Sequence, residues 1–504
     1  MHLSARGDRN NRQHGFLRRT FALLLALLTL WAPATAAAAR SLPVTIYSAT
    51  ADSPFGGTVV ISGATTSKLA SVQFTVTPKV GATAKAVSAT YSAAYLASIS
   101  AINAGAGRVT VPIFGLYQNY ANSVTITYKE RSGSARLTAS ISTDDYHGTF
   151  AAEHRETIVS RNAAVQLDYS YMVVKQGWLG TLPTVIDIDG NVRWVFDAGA
   201  PQNAYLWDGE LYYASGTSVR KMKLGGASSL VVNLAGEDVA GFHHNFDPGK
   251  RGLLLEVDTN THSESTIIEI DKSGNVLETF DISAIIRAAM TSDDLTTVND
   301  TWIRDGQDWF HNNAATYWKK YDTLVVSSRE NFVIGIGYKD KKIKWILGDT
   351  NKGWYQDFNS LKKYSLTLTP GSIPPMGEHA VSITAEGELM LFDNGANSFN
   401  QCCIQPGSSR GYSAPRRYTI NPKRMTADET WRYSHSPALN SFICSSVYEV
   451  GTSLLIDYAQ ADNGGSRFVG LGKNDAIAFE WKFNGYDCGQ GWNARPISLE
   501  SLSY

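Results

Sequence analysis

The chain has 504 residues, and its 45 Lys and Arg nearly balance 46 Asp and Glu. No basic block follows the amino-terminal arginines, which argues against nucleic acid and anionic membrane surfaces as partners. Aromatic residues make up 11% and there are 43 glycines, a balance that suits strands and tight turns better than helices.

Read in chain order, Arg6, Arg9, Arg12, Arg18 and Arg19 precede an apolar run from Phe21 to Trp31, then small residues from Ala34 to Ala39. This is the order of a cleaved secretory signal, over residues 1–39. The run is shorter than the ~20 residues that span a bilayer. Arg18-Arg19-Thr20-Phe21 also resembles a twin-arginine signal. The expected location is periplasmic or secreted, with no membrane span in the mature chain.

Residues 40–150 read as a small β-sandwich. Short alternating runs at Val44–Tyr47, Thr58–Ile61, Val72–Val76 and Val124–Tyr128 are separated by Gly, Ser, Ala and Pro turns. From residue 151 a loose repeat takes over: two apolar strands around a turn of Asp, Gly, Asn or Lys, the second strand often carrying Trp. Copies lie at Val185–Trp194, Ile267–Leu277, Ile334–Trp345 and Phe468–Trp481, with weaker ones at Val219–Leu234 and Arg417–Trp431. Each alternates with a second apolar strand pair, such as the one containing Gly252–Val257. Repeated four-stranded units without intervening helices predict a β-propeller, here of six blades over residues 151–504. The fold class is therefore all-β, with one short helix expected over Ile282–Met290.

Four cysteines in an exported chain are compatible with disulfides. Adjacent Cys402 and Cys403 lack zinc-ligand spacing. The pairing expected joins Cys402 or Cys403 to Cys488, although sequence alone does not fix connectivity.

Histidines recur at one place in the repeat. His244 leads to Gly252–Asp258 as His379 leads to Gly387–Asp393, without a gap, and His311 leads to Thr323–Arg329 with a longer turn. Equivalent positions in a radial repeat sit at similar depth, so three imidazoles and Arg329 would converge on the channel. Arg offers a planar fork of donors, while a neutral imidazole can donate, accept or attack. That set suits a tetrahedral anion. A three-histidine metal site is the competing reading, and a cation at Arg329 argues against it. His147, His154, His262 and His435 fall outside the register and read as structural or surface residues.

These residues resemble those of the bacterial arylsulfate sulfotransferases that work without a nucleotide donor. The matching stretches are Asp308–Asn313, Val325–Arg329, Ile343–Gly348, Gly377–Ala380, Leu391–Gly395 and, nearer the amino terminus, Val111–Tyr117. The resemblance implies a six-bladed propeller behind a small β-sandwich, with His379 transiently sulfated. It implies that His244 (with His243 as fallback), His311, Asn313 and Arg329 complete the active site. Sulfuryl transfer from aryl sulfates to phenols would then be ping-pong and need neither cofactor nor metal, Trp309 and other rim aromatics would stack on the rings, and a homodimer is suggested. Two departures stand out. Ser365–Glu378 lacks the family's disulfide before the nucleophile, and Cys444 takes the place of a threonine lining the site, where a free thiol is expected. The rival readings are a secreted propeller that binds anionic or sulfated ligands without turnover, and a metal-dependent hydrolase or lyase.

Overall fold

The computed structural model describes residues 45–50, 55–147, 157–175, 183–196, 203–304, 306–461, 465–483, 488 and 491–504. The signal segment and His154 lie outside them. Ser41–Tyr504 forms one compact unit.

Near its amino terminus, period-two burial drives two sheets together. Along Gly56–Ser62 and Leu69–Val76, Val59, Ile61, Val72, Phe74 and Val76 turn inward while their neighbours face water. One sheet joins Thr45–Thr50, Gly56–Ser62, Arg108–Phe114 and Ile102–Asn103. The other joins Val87–Ser92, Leu69–Val76, Tyr120–Glu130 and Gly133–Thr143, with Leu502–Ser503 added in parallel at its edge. Their inner faces share one apolar core.

The remaining described strands form six sheets of four or five strands, antiparallel except where Thr367–Leu368 pairs in parallel with Thr426–Arg432 at one edge. All six hairpins read from the sequence are outer strand pairs of these sheets, from Thr184–Asp187 with Val192–Val195 to Gly465–Leu471 with Ile477–Phe483. The recurrent aromatic in the second strand has a local cause. Gly335 pairs with Trp345, and Gly470 with Phe479, so each ring lies over the glycine opposite. A Cβ at either glycine would fall 2.2 or 2.3 Å from that ring. The innermost strands are Ala204–Trp207, Val239–Pro248, Asn312–Trp318, His379–Ile383, Ser446–Val450 and Asn493–Ile497, each touching the next. This is the radial arrangement of a β-propeller.

Closure of the circle mixes distant parts of the chain. Asn493–Ile497 is the innermost strand of the sheet that contains Tyr171–Lys175, and Thr157–Arg161 adds an edge strand to the last sheet. Buried Arg193 ties the sandwich to the propeller. It pairs with Asp187 at 3.0 Å, donates to the Gly115 carbonyl at 2.6 Å and lies 3.7 Å over the Tyr117 ring.

The expected short helix is present at Ile282–Arg287, capped by the Asp281 side chain on the Ala284 amide at 2.9 Å. A second helix, Ser292–Thr301, follows it. Together they deliver the chain to Asp308 through a core of Trp302, Trp309, Phe310 and Phe358. Trp309 is fully buried there, so the expectation that it stacks on a substrate ring is corrected: a ring with no exposed face has nothing to offer a ligand. The cysteine expectations also change. Cys402 pairs with Cys403 and Cys444 with Cys488, so Cys444 is not a free thiol and Cys488 does not reach the vicinal pair.

Candidate functional site

Three of the innermost strands carry bulges. Register shifts lie between Phe242 and Phe246, between Asn312 and Ala314, and between His379 and Ser382. Left-handed residues accompany them: His244 (φ 51°), His311 (φ 54°) and Ala380 (φ 56°). Such bulges re-aim side chains that a regular strand would leave in the ladder. The ungapped sequence register is thus only partly right. His244 and His311 occupy the left-handed residue itself, whereas His379 stays paired to Phe392 and its successor bends.

The histidines and the arginine do come together. The His244 and His311 rings are 4.7 Å apart between centroids. Arg329 and His311 both help depress the His379 pKa, and His244 feels His311, His243, His379 and Arg329. His243, the fallback, stands behind His244 with Nδ1 to Nδ1 at 2.9 Å, and Trp492 lies on another side at 5.4 Å.

His379 is nearly fully buried. Its Nδ1 meets two oxygens, Asn394 Oδ1 at 2.8 Å and the Gly377 carbonyl at 3.1 Å. The Asn394 amide is oriented by its own Nδ2, which donates to the Ser441 and Cys444 carbonyls at 2.6 and 3.0 Å. Both partners of Nδ1 are therefore acceptors, so Nδ1 carries the proton and Nε2 is the basic nitrogen. Burial pushes this imidazole down to about 3, Asn394 opposes, and Arg329 and His311 reinforce the depression. His244 is likewise depressed, first by burial.

His311 behaves oppositely. Its Nδ1 lies 2.8 Å from Glu264 Oε2 and 2.5 Å from Asp308 Oδ2. Burial acts to lower its pKa, but the two carboxylates prevail and raise it to about 10. One imidazole is held charged while two are held neutral. Glu264 and Asp308 escaped the sequence reading, which followed histidine register and family motifs and singled out no carboxylate. Asp308 lies in a quoted motif, three residues before His311, and that spacing is the clue that could have flagged it.

Arg329 is buried and pairs with Glu330. Asn313 has its Nδ2 committed to the Glu378 carbonyl at 2.8 Å, beside Ser327 Oγ at 2.9 Å, so it fixes the peptide that carries His379. Cys444 contributes its carbonyl to Asn394 rather than a sulfur. His435 pairs with Glu480 at 3.0 Å as a structural residue. Among the described residues, donor atoms that could hold a metal cluster on His244, Glu264 and His311, and on His243, His244 and Glu256. His379 belongs to neither set.

Family models and curated relatives point to one family. A model described as Arylsulfotransferase (ASST) matches residues 157–484, and one described as Arylsulfotransferase Ig-like domain matches 54–146. The chain is similar to arylsulfate sulfotransferase AssT of Escherichia coli O6:H1, with 24% identity over 64% of this chain and 70% of that protein. It resembles the Lelliottia amnigena protein of the same name at 24% identity, with the same shares covered. Among solved structures, the β-propeller domain of Cps50 (Swd1) from Myceliophteria thermophila aligns at TM-score 0.33 and 9% identity, over 65% of this chain and 88% of that one.

Proposed function

From the premise that this chain belongs to the arylsulfotransferase family, we propose that it transfers a sulfuryl group from an aryl sulfate to a phenol through a covalent intermediate on His379. The observation that carries this reading is the assigned tautomer of His379, whose basic Nε2 shares a buried site with two cations, Arg329 and His311. The six sheets are its six blades in this reading.

The neutral Nε2 attacks sulfur, the S–O bond to the aryl oxygen breaks, and the phenolate leaves. Nδ1 keeps its proton, so the sulfated ring is an imidazolium held by Asn394 Oδ1 and the Gly377 carbonyl. Arg329 offers fixed donors to charge spreading over the sulfuryl oxygens, and fixed donors of this kind are usually the largest rate term. Charged His311 hands its proton to the phenolate and later takes one from the acceptor phenol. Its pKa of about 10 suits that exchange, because a phenol ionises near ~10. His244 is depressed and neutral, which makes it the hydrogen-bonding partner rather than the proton donor. Export to an oxidising compartment completes the reading, and two disulfides support it.

The test is phenol release from a chromogenic aryl sulfate, with and without a phenol acceptor, in the wild type and in His379→Ala. Acceptor-stimulated release that the variant loses, together with a sulfated peptide containing His379, supports the reading; a fully active variant refutes it. The His244, Glu264 and His311 donor set favours a metal-dependent hydrolase as second reading. Loss of activity on chelation, restored by a divalent metal, would put that reading ahead.

A further inference from the structure

Two phenylalanines beside the site break the usual economy of an apolar side chain. Phe399 is 46% exposed and Phe442 41%, and their rings meet at 6.0 Å between centroids with a 65° tilt. Single exposed apolar residues are ordinary, whereas two adjoining rings make a small contiguous apolar surface of the kind that lines ligand grooves. Both rings are held. The Phe399 and Asn400 amides donate to the Glu330 carboxylate at 2.9 Å, and Asn400 Nδ2 reaches Asp308 at 2.5 Å. The other loop is fastened at Ser441, whose amide donates to Ser413 Oγ at 2.8 Å, and at Cys444, disulfide-bonded to Cys488.

Each loop is also wired to the chemistry. The Phe399 ring lies 3.6 Å from the Arg329 guanidinium carbon. Phe442 directly follows Ser441, whose carbonyl receives the Asn394 amide that orients His379. Phe399 covers one face of Arg329 and Glu330 takes Nη1, so the N–H groups left on the guanidinium edge are the donors a sulfuryl group can meet. The Phe399 ring, and Phe442 against it, are the apolar surface next to that edge.

We infer that Phe399 and Phe442 form the subsite for the aryl ring of the substrate, making them residues that determine specificity for the size of that ring. This rests on the sulfotransferase reading above. The substrate ring extends a stack that begins at Arg329 and continues through Phe399, with Phe442 closing on its edge in the offset geometry that aromatic pairs prefer. Before binding, the two rings meet edge to face; the entering ring packs against them while Phe399 stays on Arg329.

The experiment measures kcat and KM for a monocyclic and a bicyclic aryl sulfate with the wild type, Phe399→Ala, Phe399→Tyr, Phe442→Ala and the double alanine variant. Thermal midpoints serve as the folding control, and both positions are exposed enough for the variants to fold. Aromatic contacts of this kind predict that each alanine raises KM by about five-fold or more, with kcat changed less, and that Phe399→Tyr stays within about two-fold of wild type. The bicyclic donor should lose more than the monocyclic one. Phe442→Ala isolates the ring contact, because Phe442 does not stack on Arg329. Unchanged KM in both alanine variants of an active enzyme overturns the inference, as does a loss confined to kcat, which would make Phe399 a support for Arg329 alone. Absence of sulfuryl transfer in the wild type is a separate outcome that refutes the underlying function.

Discussion

Neutralising Asp308 tests the proton-donor role of His311 directly. In the wild type two carboxylates raise His311 from 6.5 to about 10 against the pull of burial. At 1.36 kcal/mol per unit, that net shift corresponds to about 5 kcal/mol favouring the imidazolium. Asp308→Asn leaves Glu264 in place at 2.8 Å. An even division between the carboxylates then lowers the titration by roughly two units. The assay is kcat/KM for an aryl sulfate donor from pH 6 to 10.5, because this quantity reports ionisations of the free enzyme and the sulfate ester itself does not titrate there. Wild-type kcat/KM should fall only as the pH approaches 10, where His311 loses its proton, and the variant should begin to fall some two units earlier. The sign for stability is the same. A raised histidine pKa stabilises the fold below 6.5, and that contribution is lost as pH rises through about 10. Two pH profiles that differ only by a constant factor would refute the reasoning.

The neutral nucleophile makes a second prediction. With His379 depressed to about 3, donor kcat/KM should show no limb near 6.5 attributable to it, and a limb there that vanishes with substitution of His379 would contradict the assigned tautomer. Asn394→Leu removes the acceptor that orients His379 and should cost roughly 10- to 100-fold in kcat, by analogy with the partners that orient metal-bound histidines, with donor KM nearly unchanged; a KM effect alone would argue otherwise. Cys444→Ser combined with Cys488→Ser opens a loop of 44 residues, for which chain entropy predicts about 4 kcal/mol of lost stability. Thermal unfolding reads that loss, and an unshifted midpoint would show the bridge to be energetically idle.

Much of this molecule was legible because its repeat is written in residues that serve one purpose. The outer hairpins announce themselves through a turn and an aromatic that must lie over a facing glycine, as Trp345 lies over Gly335. The histidines were legible as a set, but their aiming was not, because a bulge depends on which residues pair across strands and not on spacing along one. That is why His379 and His244 align in sequence yet differ by a bulge in space. Glu264 lies far from His311 in the chain and reaches it only through the fold. Trp309 was misjudged because its motif neighbours face the site while its ring turns back onto Trp302. The disulfides were misjudged because cysteine spacing carries no information about which loops meet.

The strand Asn493–Ile497 gives the molecule a timetable. It completes the sheet of Tyr171–Lys175 from the innermost side, and the residue just before it, Trp492, packs against His244. During synthesis, His244, His311, Arg329 and His379 all leave the ribosome well before the strand that brings the first sheet and the last into one circle. Contacts between such distant positions are slow to form, and sheets with open edges are exposed to wrong partners meanwhile. A nascent chain therefore carries every imidazole of the site for some time before the circle around them can close.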